Sequence, residues 1–139
     1  MTMKEKGEIL EEIGRLVDVQ LDGNSESAFL YAEIAKNMGE AYILEEGGDR
    51  MIFHTADAEI VWAAMALWEK EVKRSRWEAM RYSITDGKFA AEFDYPEDLD
   101  PEEYSGDRAM RVLKERAGNR AIDNTLEIEK FRRLSGFDI

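Results

Sequence analysis

WEAMRYSITDGKFAAEFDYP, residues 77–96, is the stretch from which the fold can be read. Asp86-Gly87 sits between two alternating segments, and Asp-Gly in that setting is the strongest short-range hairpin signal, because a type I′ turn needs positive φ at both central residues. Met80, Tyr82 and Ile84 fall on one face of the first strand, and Phe89, Ala91 and Phe93 on one face of the second. Folding about the turn sets Ile84 opposite Phe89, Tyr82 opposite Ala91 and Met80 opposite Phe93, which makes a single apolar face. Pro96 lacks a backbone N–H and ends the second strand.

The same logic works outward. AYILEEGGDRMIFHT, residues 41–55, reads as a second hairpin. With Gly47-Gly48 as its turn, Glu45 is expected to face Arg50 and Leu44 to face Met51. AFLYAEIA, residues 28–35, is a strand-like apolar run with imperfect alternation, and LDGNSES before it supplies a turn. Residues 3–18 space Ile9, Leu10, Ile13, Leu16 and Val17 as an amphipathic helix. Between the hairpins, ADAEIVWAAMALWEKEVKRS is a helix with Asp57 as cap and a stripe of Ile60, Val61, Ala64, Leu67, Trp68 and Val72. Lys70, Lys73, Arg74 and Arg76 are expected at its C-terminal end, where the helix dipole favours cations.

After Pro96, Asp100-Pro101-Glu102-Glu103 has the composition of a helix start, and a surer helix follows over residues 107–117 with Ala109, Met110, Val112 and Leu113 inward. Gly118 closes it. The order helix, three strands, helix, two strands, helix predicts an α+β fold: an antiparallel sheet of about five strands, helices packed on one face. The expected domain is residues 1–139, with 119–139 as a loosely docked tail held by Leu126, Phe131 and Leu134. Trp62, Trp68 and Trp77 are expected in the core.

Composition narrows the function. The 139 residues are 44% hydrophobic, enough for a folded core, and contain no cysteine, which rules out disulfides, thiolate metal sites and a cysteine nucleophile. The formal net charge of −12 repels phosphate backbones, so nucleic acid is not an expected partner, whereas a basic protein would be attracted. Neither a signal peptide nor an apolar run of membrane-spanning length is apparent; a cytoplasmic protein with no membrane partner is expected.

Nothing in the chain nominates chemistry. His54 is the only histidine and reads as an ordinary strand-end residue. No G-x-S-x-G elbow, P-loop or dinucleotide fingerprint occurs. Glu92, Asp94, Glu97, Asp98, Asp100, Glu102, Glu103 and Asp107 run on without a Lys or Arg until Arg108. DYPEDLDPEEY nevertheless lacks the spacing of an EF-hand loop and carries two prolines. The expectation is a protein that is not an enzyme, with no catalytic, cofactor-binding or metal-binding residues and no cofactor.

The pattern W-x-x-M-R-Y-S-I-T-D-G-K-F-x-A-x-F-D-Y over Trp77–Tyr95, preceded by EIVWAAMALWEKEV, resembles the YezG-like immunity protein (antitoxin) family. The matching positions are Trp77, Tyr82, Ile84, Gly87, Phe89, Phe93, Asp94 and Tyr95, and the likeness extends over residues 30–117. Ala117-Gly118 departs from the aromatic expected before that glycine. The resemblance implies an α+β protein that neutralises a polymorphic toxin, typically a nuclease, by binding it. It supplies no catalytic residue. On that reading Asp94, Glu97, Asp98, Asp100, Glu102 and Glu103 are the expected partner-binding residues, facing the toxin's basic surface. The element order is also similar to type III secretion chaperones, which act as homodimers. A small-ligand or metal-binding module is the third alternative and requires a polar-lined pocket.

Overall fold

The computed structural model describes residues 1–135. The elements follow as α1 (Met3–Gln20), β1 (Ser27–Ala35), β2 (Met38–Glu46), β3 (Arg50–Thr55), α2 (Ala58–Lys70), β4 (Ala79–Thr85), β5 (Lys88–Asp94), α3 (Ser105–Ala117), β6 (Ala121–Asp123) and α4 (Thr125–Ser135). Short 3-10 turns lie at Lys73–Ser75 and Pro96–Asp98. The class is α+β, as expected. One open sheet runs in the order β5-β4-β1-β2-β3-β6, antiparallel throughout except that β6 lies parallel to β3.

The β4–β5 hairpin has the expected register, Ile84 to Phe89, Tyr82 to Ala91 and Met80 to Phe93. Asp86 (φ 52°) and Gly87 (φ 75°) make its turn. The β2–β3 hairpin differs. Glu46 faces Met51, so Glu45 faces Ile52 and Leu44 faces Phe53, not Arg50 and Met51. Gly47 donates its N–H to the Arg50 carbonyl (3.0 Å), which leaves Gly48-Asp49 as the two-residue loop. Of the two glycines only Gly48 has positive φ (82°). At Gly47 a Cβ would come within 2.8 Å of the Arg50 oxygen, so that glycine is required by close approach. Each partner moves by two positions, which preserves the side-chain faces.

Helices cover both faces of the sheet, which corrects the expectation of one. Ala28, Leu30, Ala32 and Ile34 of β1 join Leu10, Ile13 and Val17 of α1 and Ile60, Ala64 and Leu67 of α2 in one core. Phe29 and Tyr31 point the other way, with Leu44 and Met51, against Ala109, Val112, Leu113 and Ala117 of α3. The imperfect alternation of AFLYAEIA is the mark of a strand buried on both sides. The sheet has six strands because β6, from the expected tail, pairs Arg50 with Ala121 and Met51 with Ile122. Arg50 Nε lies 3.4 Å from the Asp123 carboxylate beside it.

Helix boundaries need three corrections. α2 stops at Lys70, so Lys73, Arg74 and Arg76 lie beyond it, and Val72 is exposed. Asp57 occupies its N-cap position without a side-chain cap bond. Asp100 caps no helix: its carboxylate takes the Glu102 N–H (2.9 Å) in a local turn, and α3 starts after Tyr104. Gly118 (φ 64°) closes α3 as expected. Met110 faces outward while Ala109, Val112 and Leu113 are buried.

Trp77 is fully buried and Trp68 donates its indole N–H to the Trp77 carbonyl (2.8 Å), but Trp62 is 65% exposed and is not a core residue. Leu126, Phe131 and Leu134 are exposed, and a polar contact, Thr55 N–H to Glu127 (2.6 Å), links α4 to β3. Residues 136–139 of the expected tail lie outside the described residues. Among those described, no helix is long and apolar enough to cross a membrane.

Candidate partner-binding surface

The acidic segment begins at the sheet edge and leads to α3. β5 is the end strand, and its Phe89, Ala91 and Phe93 turn toward α1 and α2. The other face of β4 and β5 carries Arg81, Ser83, Glu92 and Asp94, none of them in a buried cluster, beside Ala79, which belongs to the α3-side core. Residues 95–104 then lead around to α3.

Most of the carboxylates there serve the fold. Asp94 receives a two-pronged bond from Arg81 (3.1 and 3.0 Å), which also reaches Glu92 (3.3 Å). Such fork geometry orients both partners. Asp98 accepts the Tyr95 N–H (3.0 Å) and holds the 3-10 turn after β5. Glu103 accepts two bonds from Arg111 (2.9 and 3.0 Å) and lies 3.7 Å from Arg108. The bond from Arg111, more than any other cause, holds the Glu103 carboxyl below its ordinary range.

Glu97 and Glu102 are different. Both are exposed, and neither side chain has a hydrogen-bond or ion-pair partner among the described residues. The fold thus gathers Asp94, Glu97, Asp98, Asp100, Glu102 and Glu103 on one connection but commits Asp94, Asp98, Asp100 and Glu103 to internal bonds. Glu97 and Glu102 carry the uncommitted charge.

Two acid–base pairs escape sequence reasoning. His54 Nε2 is 2.8 Å from Glu45 Oε1. His54 faces Ile43 and Glu45 faces Ile52, so the pair spans the hairpin diagonally, a relation that the Gly47-Gly48 turn would have hidden. His54 is 8% exposed, and the contact bridges neighbouring strands.

The second pair is deeper. Arg108, on the first turn of α3, meets Glu33 of β1 at 2.7 Å, with Glu78 at 3.8 Å, and both Arg108 and Glu33 are buried. Burial, the largest influence, pushes the Glu33 carboxyl above its ordinary range against the pull of Arg108. The legible signal was the lone charge in AFLYAEIA, since a buried charge demands a partner. Its mate is set by tertiary structure.

Among the described residues no group of three or more His, Cys, Asp or Glu side chains is placed to hold a metal ion. No protein-family model matches the chain, and no curated protein matches it.

Proposed function

We propose that this chain is a non-enzymatic, cytoplasmic immunity protein of the YezG-like kind, which binds a polymorphic toxin domain, in the first place a nuclease, through its acidic surface. The observation that carries this reading is the exposed connection after β5, where Glu97 and Glu102 have no internal partner among the described residues, in a chain of net charge −12. The resemblance over Trp77–Tyr95 supports it and maps onto β4, its turn and β5. A nuclease holds phosphates on a basic surface, and an acidic protein can occupy that surface in their place.

The test is co-expression with the toxin encoded beside the gene. Rescue of toxin-expressing cells and co-purification of the two chains are expected; a chain that neither protects nor co-purifies overturns the reading. The element order favours a second reading, a homodimeric type III secretion-like chaperone, although topology alone does not fix function. A strictly monomeric chain in light scattering excludes that second reading.

A further inference from the structure

β5 ends the sheet on one side, and nothing among the described residues hydrogen-bonds to its outer edge. The two-residue turn at Asp86-Gly87 makes Thr85 and Lys88 a hydrogen-bonded pair, so Lys88, Ala90, Glu92 and Asp94 turn their backbone groups toward β4. The Asp94 carbonyl, which accepts the Glu78 N–H (2.8 Å), fits that phase. Phe89, Ala91 and Phe93 alternate with them and present their amides and carbonyls outward. None of the residues of β5 is buried.

A row of unpaired backbone groups is a template for another strand, and charges on an edge ordinarily keep a second strand away. On β5 the charges are ordered. Lys88 stands at its start, and Glu92 and Asp94 at its end. Lys88 is exposed and has no carboxylate partner among the described residues. Arg81 alone serves both Glu92 and Asp94 there, which leaves one negative charge over. An antiparallel copy of the strand sets start against end, and the charges then match.

We propose that β5 pairs antiparallel with β5 of a second copy of this chain, joining the two sheets about a two-fold axis at Ala91. In that register Lys88 faces Asp94 of the second copy, with Glu92 of that copy on the diagonal. Phe89, which is exposed, faces Phe93 of the second copy, and Ala91 faces its own counterpart. Symmetry makes the charged and the aromatic pair each occur twice. Opposite charges and aromatic residues across neighbouring strands are stabilising pairs. Phe89, Ala91 and Phe93 all exchange backbone hydrogen bonds, so the strands overlap along their whole length. Other registers are disfavoured. A shift of two residues sets Asp94 opposite Asp86 in one direction and Glu92 opposite Glu92 in the other, like charge against like. A shift of one sets outward backbone groups against inward ones. The inference rests on this edge and is independent of toxin binding.

The experiment is sedimentation equilibrium of the full chain from micromolar to millimolar concentration. Salt of about 0.15 M screens the repulsion between copies of charge −12. A monomer–dimer equilibrium is expected. Lys88→Glu, which sets like charges opposite at both ends, should raise the dissociation constant by about tenfold or more, whereas Lys88→Arg should leave it nearly unchanged. Lys88 is exposed, so both variants should keep the fold, and an unchanged melting temperature checks this. The chain has no cysteine, so an Ala91→Cys variant reads the register. Cα atoms of a hydrogen-bonded pair lie about 5.5 Å apart, within the span of a disulfide. Mild oxidation should cross-link Ala91→Cys far faster than Asp49→Cys, a variant at an exposed site in the β2–β3 loop. A chain that is monomeric at every concentration, a dimer that Lys88→Glu leaves unchanged, or cross-linking no faster in Ala91→Cys than in Asp49→Cys overturns the proposal.

Discussion

The two faces of the sheet are built on different principles. Toward α1 and α2 the core cluster is apolar, with the buried His54 and its partner Glu45 at the hairpin on the same face, and its one phenol, Tyr82, donates its hydroxyl to the Leu10 carbonyl (2.7 Å). Toward α3 a carboxylate, a guanidinium and a phenol are buried beside the aliphatic residues: Glu33, Arg108 and Tyr31. Burial, the largest influence, and the neighbouring Glu33 carboxylate push the Tyr31 hydroxyl well above its ordinary range. Apolar burial is the larger source of stability, whereas a buried ion pair recovers its desolvation cost only with excellent geometry. The first face holds the fold together, and the second tolerates a costly arrangement beneath α3.

Breaking the ion pair should have the largest effect. Arg108→Ala leaves Glu33 buried without its cation and should cost about 3–5 kcal/mol, read from urea unfolding. Glu33→Gln combined with Arg108→Met removes both charges and should recover most of that loss. If the double variant is as unstable as the single one, the pair is a net source of stability and the contrast between the faces fails. On the apolar face, Leu67→Ala should cost about 2–5 kcal/mol, and no second substitution of charge should rescue it.

Within the α3 face, two carboxylates near Arg108 should separate by pH. Glu103 has a lowered carboxyl pKa, so the stability it lends is full above the ordinary carboxylate range and is lost as pH falls through the lowered value. Glu33 is raised above its reference of 4.5 and acts with the opposite sign: stability falls as pH rises through that window. Glu103→Gln should therefore flatten the acid limb of stability against pH. Glu33→Gln should steepen it just above pH 4.5. Thermal melts across that range decide, and identical limbs in the two variants would contradict the opposite signs.

The smallest effect on stability is expected on the acidic connection. Glu97→Gln/Glu102→Gln should leave the unfolding midpoint nearly unchanged, because neither carboxylate has an internal partner among the described residues. Its effect should fall on association with the toxin, which should slow at low salt and lose much of its salt dependence, since steering is screened over about 8 Å at physiological ionic strength. Unchanged association in stopped-flow would place the interface elsewhere.

The β4–β5 hairpin was legible because every determinant is local: Asp86-Gly87 fixes the turn and the alternation fixes the face. In β2–β3 the neighbouring glycines compete for the turn, and the choice depends on Arg50 and Ile52 crowding Gly47. β6 has three residues and pairs with a strand distant in sequence, so it leaves no periodicity to detect. The two-sided burial of β1 was encoded in its apolar run. At the candidate surface the acidic residues were evident from their order, yet their commitments were not, because Arg81 and Arg111 approach from β4 and α3.

The place of α3 in the chain has a consequence during synthesis. Every antiparallel strand lies within residues 27–94, so the sheet can assemble on a growing chain before α3 exists. Until residue 108 emerges, Glu33 waits without its cation, and Phe29, Tyr31, Leu44 and Met51 face water. A nascent chain halted after Tyr95 should therefore bind a hydrophobic dye or a holdase chaperone, and one halted beyond Gly118 should release it.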